Sequence, residues 1–157
     1  MKLYFLRHGL ADWPNWDSAH DEERPLTDQG TAKMKAEAKT IAQLKVKVEA
    51  IVSSPYRRAR QTADAVARWL NMEVTEDEAL APGFGIERLG EVLQRYPNAG
   101  AVMLVGHEPD FSRTISALIG GGRVVMKKGG LARIDVESID PPDGELVWLL
   151  TSKTLGA

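Results

Sequence analysis

The sequence predicts an α/β fold, a three-layer α/β/α sandwich around a mostly parallel central sheet. Three observations predict it. Short apolar runs alternate with amphipathic helical stretches along the chain. Two of those runs, at 3–6 and 101–105, are apolar throughout, as expected of strands covered on both faces. The length of 157 residues, 43% of them hydrophobic, suits one domain with a real core, so 1–157 is expected to be a single domain.

The elements follow in order. Leu3–Leu6, Ala50–Val52, Ala101–Val105 and Glu145–Leu150 read as strands. Leu131–Val136 alternates apolar and polar and predicts a fifth strand nearer an edge. Asp28–Leu44 places Met34, Ala38, Ile41 and Leu44 on one helical face, with Thr27 as its N-cap. Pro55–Leu70 places Ala59, Thr62, Ala63, Val66 and Leu70 on one face, and Ser54-Pro55 offers an N-cap and a first-turn proline. Ile86–Tyr96 and Pro109–Ile119 are two further helices, the second stopped by Gly120-Gly121-Gly122. Pro141-Pro142-Asp143-Gly144 is read as the turn between the last two strands.

Composition removes several kinds of chemistry. There is no cysteine, hence no disulfide, thiolate nucleophile or cysteine-ligated metal. A net charge of −2 gives no bulk attraction to nucleic acid or an anionic membrane. The apolar start at Leu3–Leu6 ends at Arg7-His8, too soon for a signal-peptide core, and no stretch approaches the ~20 apolar residues of a membrane span. A soluble, cytoplasmic protein is expected.

Ligands in open α/β sheets bind beyond the carboxyl ends of the strands. The residues at those ends are Arg7-His8-Gly9, Ser53-Ser54-Pro55 with Arg57-Arg58 just beyond, and Gly106-His107. In a parallel sheet these groups converge, and two imidazoles with two guanidiniums make an anion site suited to phosphate. A neutral imidazole can attack phosphorus in line and carry the phosphoryl group. Nearby arginines would keep it neutral and stabilise the equatorial oxygens of the transition state. The scheme needs neither metal nor cofactor. Arg57 and Arg60 are read as surface charges, His20 as exposed and Lys127-Lys128 as a solvated turn. Trp13 and Trp16 either line the pocket rim or anchor their loop.

These segments resemble the ordered blocks of the histidine phosphatase, or phosphoglycerate-mutase-like, superfamily. The blocks are Leu6-Arg7-His8-Gly9, the stretch from Arg24-Pro25-Leu26-Thr27 to Gly30, the stretch from Ser54-Pro55 to Ala63, and Val105-Gly106-His107-Glu108-Pro109. The compact chain is most similar to the SixA-type phosphohistidine phosphatases. The resemblance implies a phosphoglycerate-mutase-like fold, His8 as the phosphorylated nucleophile, Arg7 and Arg58 as phosphate ligands, and His107 as the second pocket histidine.

Larger members carry a carboxylate general acid in a segment that is short here. Glu87 falls in that region but within a helical pattern. Glu108 is a possible general acid, or it favours the start of the helix opening at Pro109. A missing acid suits a phosphoramidate better than an ester, because a protonated imidazole is a good leaving group. The expected partner is therefore a protein carrying phosphohistidine. The alternatives are phosphomonoesterase activity on a small phosphorylated metabolite (a sugar, nucleotide or cofactor phosphate) and a non-catalytic phosphate-binding module.

Overall fold

The computed structural model describes residues 1–156. Its elements are β1 (Lys2–Arg7), α1 (Asp28–Gln43), β2 (Ala50–Ser53), α2 (Arg57–Leu70), β3 (Val74–Glu76), α3 (Ile86–Leu93), β4 (Ala101–Gly106), α4 (Asp110–Leu118), β5 (Leu131–Ile139) and β6 (Pro142–Leu150). Two 3-10 segments, Ser18–Glu23 and Glu78–Leu80, lie in the connections. The strands form one sheet in the order β3-β2-β4-β1-β5-β6. The first four are mutually parallel, β5 runs antiparallel to β1, and β6 antiparallel to β5.

Alternating strand side chains bury two separate cores, one on each face. Leu3, Phe5, Val102 and Leu104 pack with Leu89 and Leu93 of α3 and Phe111 and Ile115 of α4. Tyr4, Leu6, Met103 and Val105 face Ala38 and Ile41 of α1 and Ala59, Ala63 and Val66 of α2. Because β1 and β4 bury both faces, they read as unbroken apolar runs. The expected three layers are present, with α1 and α2 on one side and α3 and α4 on the other.

Some local expectations hold and others are corrected. Leu131–Val136 belongs to β5, which lies nearer an edge as expected, one strand in from it, pairing with β1 on one side and the edge strand β6 on the other. Its alternation arises because Ala132, Ile134 and Val136 enter a core while Arg133 and Asp135 pair with each other at 3.0 Å on the opposite face. The edges are β6 and the three-residue β3, which the sequence reading missed. In β3 only Val74 is even half-buried, so there was no apolar run to find.

The last hairpin turns at Asp140-Pro141, and Pro142 opens β6, a position where a missing N–H is tolerated. Helix α2 begins at Arg57 with Tyr56 at its N-cap and no side-chain cap. Ser54 is thus not the cap. Thr27 does cap α1, accepting from the Gly30 N–H at 3.0 Å. The three glycines after α4 all adopt positive φ and stop that helix.

Candidate active site

Strands β1 and β4 are neighbours, with Arg7 opposite Gly106, and β2 lies beside β4 with Ser53 opposite Val105. The chain leaves β1 toward α1 on one face and leaves β4 toward α4 on the other. The crevice between them is a topological switch point, where α/β folds bind ligands. Here the strand ends deliver His8, His107 and, from the first turn of α2, Arg58. The His8 and His107 rings are 5.3 Å apart, so three segments separated by about fifty residues each do meet.

His8 is buried. Its Nδ1 lies 2.7 Å from the carbonyl oxygen of Gly9. A carbonyl only accepts, so Nδ1 carries the proton and Nε2 keeps its lone pair. The Gly9 N–H donates to Thr62 Oγ1 at 3.1 Å and the His8 N–H to the Gly106 carbonyl at 3.0 Å. Gly9 has no room for a side chain, because a Cβ there would lie 2.7 Å from Met34 Cγ. Burial, foremost, and then the charges of His107, Arg58 and Arg7 hold the His8 pKa well below its usual value, against the opposing pull of the Gly9 carbonyl.

His107 is also buried, and burial with the Arg58 charge lowers its pKa to about 3. Its Nε2 is 2.7 Å from Ser54 Oγ, while Nδ1 is buried without a partner. Ser54 Oγ accepts from the Tyr56 N–H at 3.2 Å. The Tyr56 ring sits edge-on to His107 at 5.2 Å, and the Arg58 guanidinium lies 5.2 Å from the centre of the same ring.

The two arginines are held differently. Arg7 Nη1 donates to the Met126 carbonyl at 2.9 Å, leaving Nε buried and unpartnered. Arg58 donates from Nη1 to the Asp21 carbonyl at 2.9 Å and from Nη2 to Asp21 Oδ2 at 3.1 Å, again with Nε free. Arg24 also donates to Asp21 at 3.0 Å. Burial alone would raise the Asp21 carboxyl, but the two guanidiniums together bring its pKa below the usual value. Two guanidiniums, each with a buried and unpartnered Nε–H, thus stand around the two neutral imidazoles.

Asp21, Ser54 and Tyr56 escaped the sequence reading as site residues. The Asp21–Arg58 pair spans 37 positions and leaves no local pattern, and Ser54 looked like a helix cap. Glu108 stands just before α4, where its two oxygens accept from the N–H (2.8 Å) and the hydroxyl of Ser112. Glu87 and Arg57 are exposed, and Arg60 pairs with Asp64 and Glu76. Among the described residues no helix is long and apolar enough to cross a membrane.

Two neutral histidines and two arginines meet at this switch point, and comparison with known proteins gives the class of the chain. The family model described as the histidine phosphatase superfamily (branch 1) matches residues 3–98, and the chain belongs to that superfamily and is a phosphatase. More particularly, it is 30% identical over 125 residues to the phosphohistidine phosphatase SixA of Escherichia coli (strain K12), covering 77% of this chain and 76% of that one. It is 34% identical to an uncharacterised protein of Picosynechococcus sp. (strain PCC 7002), covering 99% of each chain. The fold matches that of the protein histidine phosphatase SixA complexed with tungstate, with a TM-score of 0.86, 24% identity and 99% of each chain covered.

Proposed function

We propose that the chain hydrolyses phosphohistidine on a protein through a phosphoryl group carried on His8. The observation that supports this best is the Nδ1–H to Gly9 carbonyl bond at 2.7 Å, which leaves Nε2 as a free nucleophile in a pocket that disfavours its protonation. Nε2 attacks phosphorus in line. The new N–P bond forms as the bond to the leaving imidazole breaks; with a proton taken from water onto its other nitrogen, that imidazole keeps the bonding pair and departs neutral. Water then attacks the phosphoryl group on His8, releasing inorganic phosphate and restoring Nε2. Arg7 and Arg58 contact the equatorial oxygens. With Ser54 Oγ–H donating to Nε2 of His107, its proton resides on Nδ1, which supplies a third donor.

The carboxylates around the site favour a phosphoramidate substrate. Asp12 is paired with Lys128, Asp21 with Arg58 and Arg24, and Glu108 with Ser112. Each is engaged as a hydrogen-bond acceptor, and Asp21 is pushed further toward its charged form. None stands ready to protonate an alkoxide, whereas a phosphohistidine imidazole arrives at neutral pH able to take a proton from water. We therefore assign Glu108 to capping α4 and not to acid catalysis. Trp13 and Trp16, 40% and 36% exposed, have their indole N–H groups taken by backbone carbonyls, and so present apolar faces beside Asp21 to an incoming protein.

The test is phosphate release from a phosphotransfer domain labelled on histidine. Wild type should release it and trap an acid-labile label on His8, and His8→Ala should fall by at least ~10³-fold. Equal release by both proteins, label on His107, or faster turnover across a panel of phosphate monoesters would refute the reading.

A further inference from the structure

We propose that a second cavity, between α1, the Lys127–Gly129 loop and the chain after β6, binds a small organic phosphate or polyphosphate at a site separate from the nucleophile. The cavity has a volume of about 650 Å³. Neither His8, Arg58 nor His107 lines it, although it touches the backbone neighbourhood of the site at Arg7 and Gly9.

Its walls are basic. Lys33 comes from α1, Lys127 and Lys128 from the loop before β5, and Lys153 from the turns after β6. Lys128 pairs with Asp12, but among the described residues Lys33, Lys127 and Lys153 have no carboxylate within ion-pair range. Three ammonium groups from three distant segments, none paired with a carboxylate, give the cavity a positive potential that favours an anion. Leu10 and Met34 add an apolar surface, which suits the organic body of a phosphorylated metabolite.

The floor carries the second observation. Glu37 is fully buried, and both its carboxyl oxygens lack a hydrogen-bond partner. It is the one acidic residue lining the cavity. Burial pushes its pKa up to about 7, with Ser152 and Lys33 partly opposing. A pKa near 7 leaves this carboxyl only about half ionised at neutral pH, which weakens its repulsion of an anion in the cavity. The cavity also touches the catalytic backbone: the Gly129 N–H donates to the His8 carbonyl at 3.1 Å, and a Cβ on Gly129 would fall 2.6 Å from Glu37 Oε1.

Backbone amide NMR during titration with inorganic pyrophosphate separates the two sites, because each has its own reporters. In wild type, Lys33, Met34 and Ser152 should shift saturably in the micromolar to low-millimolar range. The Lys33→Ala/Lys153→Ala variant should weaken that set at least tenfold and leave the His8 and His107 shifts unchanged. Arg58→Ala should do the reverse, so failure of the proposed catalytic site would appear separately. Unaltered far-UV circular dichroism checks that the lysine variant folds. No saturable shift at Lys33, Met34 or Ser152, equal affinity in the lysine variant, or binding of a poly-glutamate peptide but not pyrophosphate would overturn the proposal.

Discussion

Ser54 shows how one side chain can divide between fold and site. Its position before Pro55 suits a helix cap, yet its hydroxyl lies 2.7 Å from His107 Nε2, and α2 starts three residues later, at Arg57, without a side-chain cap. Ser54→Ala would leave that imidazole nitrogen buried and unpaired, at a cost of about 1–3 kcal/mol, and would free the His107 tautomer. The expected outcome is a roughly tenfold or larger fall in kcat with α2 intact, measured by single-turnover kinetics beside helix content from circular dichroism. Unchanged kcat with lost helix would restore the capping role. The same neighbourhood sets a pH prediction. Both histidines are pushed below their usual pKa, so the proposed nucleophile stays neutral as pH falls through 6.5 and is lost only at lower pH. Histidine ¹⁵N spectra should show His8 still in the neutral Nδ1–H form as pH falls through the usual histidine value of about 6.5. Protonation of His8 near pH 6.5 would contradict this.

At the scale of elements, the Ser18–Glu23 segment holds Arg58, the arginine proposed to bind phosphate, through Asp21. Asp21 occupies both terminal nitrogens of Arg58, and its charge opposes that of an incoming phosphate. Asp21→Asn keeps a carbonyl acceptor for Nη2 and removes the charge. Orthovanadate should then bind several-fold more tightly, consistent with about 1 kcal/mol from a half-exposed charge, as measured by calorimetric titration. Weaker binding would show that Asp21 acts mainly by orienting the guanidinium.

This segment also marks where sequence stops being informative. His8, His107 and Arg58 were legible because strand ends are recognisable from apolar runs, and a parallel sheet brings them together. The same logic located α1, α3 and α4 to within a few residues. The Asp21 contact depends on how a polar loop folds back over α2, and β3 has no buried run of its own. The alternation in β5 was real: it reflects a polar pair on one face of a strand one place in from the β6 edge. Lys127-Lys128 is the solvated turn the sequence suggests, with Lys127 exposed, but nothing local shows that Lys33 and Lys153 line the same cavity.

For the molecule as a whole, three buried ionisable groups set how stability should vary with pH. His8 and His107 have folded pKa values below their unfolded ones. As pH falls below about 6.5 the unfolded chain takes up protons that the folded chain refuses, so stability drops toward acid. Glu37 acts in the opposite sense. Its folded pKa is raised from 4.5 to about 7, so the unfolded chain loses that proton first. Stability contributed by the neutral carboxyl is full below pH 4.5 and declines as pH rises to about 7, by at most about 3 kcal/mol. The terms therefore oppose each other between pH 4.5 and 6.5, and only the Glu37 term still changes above it. Glu37→Gln keeps the shape and removes the titration. Its stability relative to wild type should grow from a constant offset below pH 4.5 to about 3 kcal/mol above that offset by pH 8, read from urea midpoints across the series. A parallel pair of pH curves would show that Glu37 ionises in the folded protein without resistance.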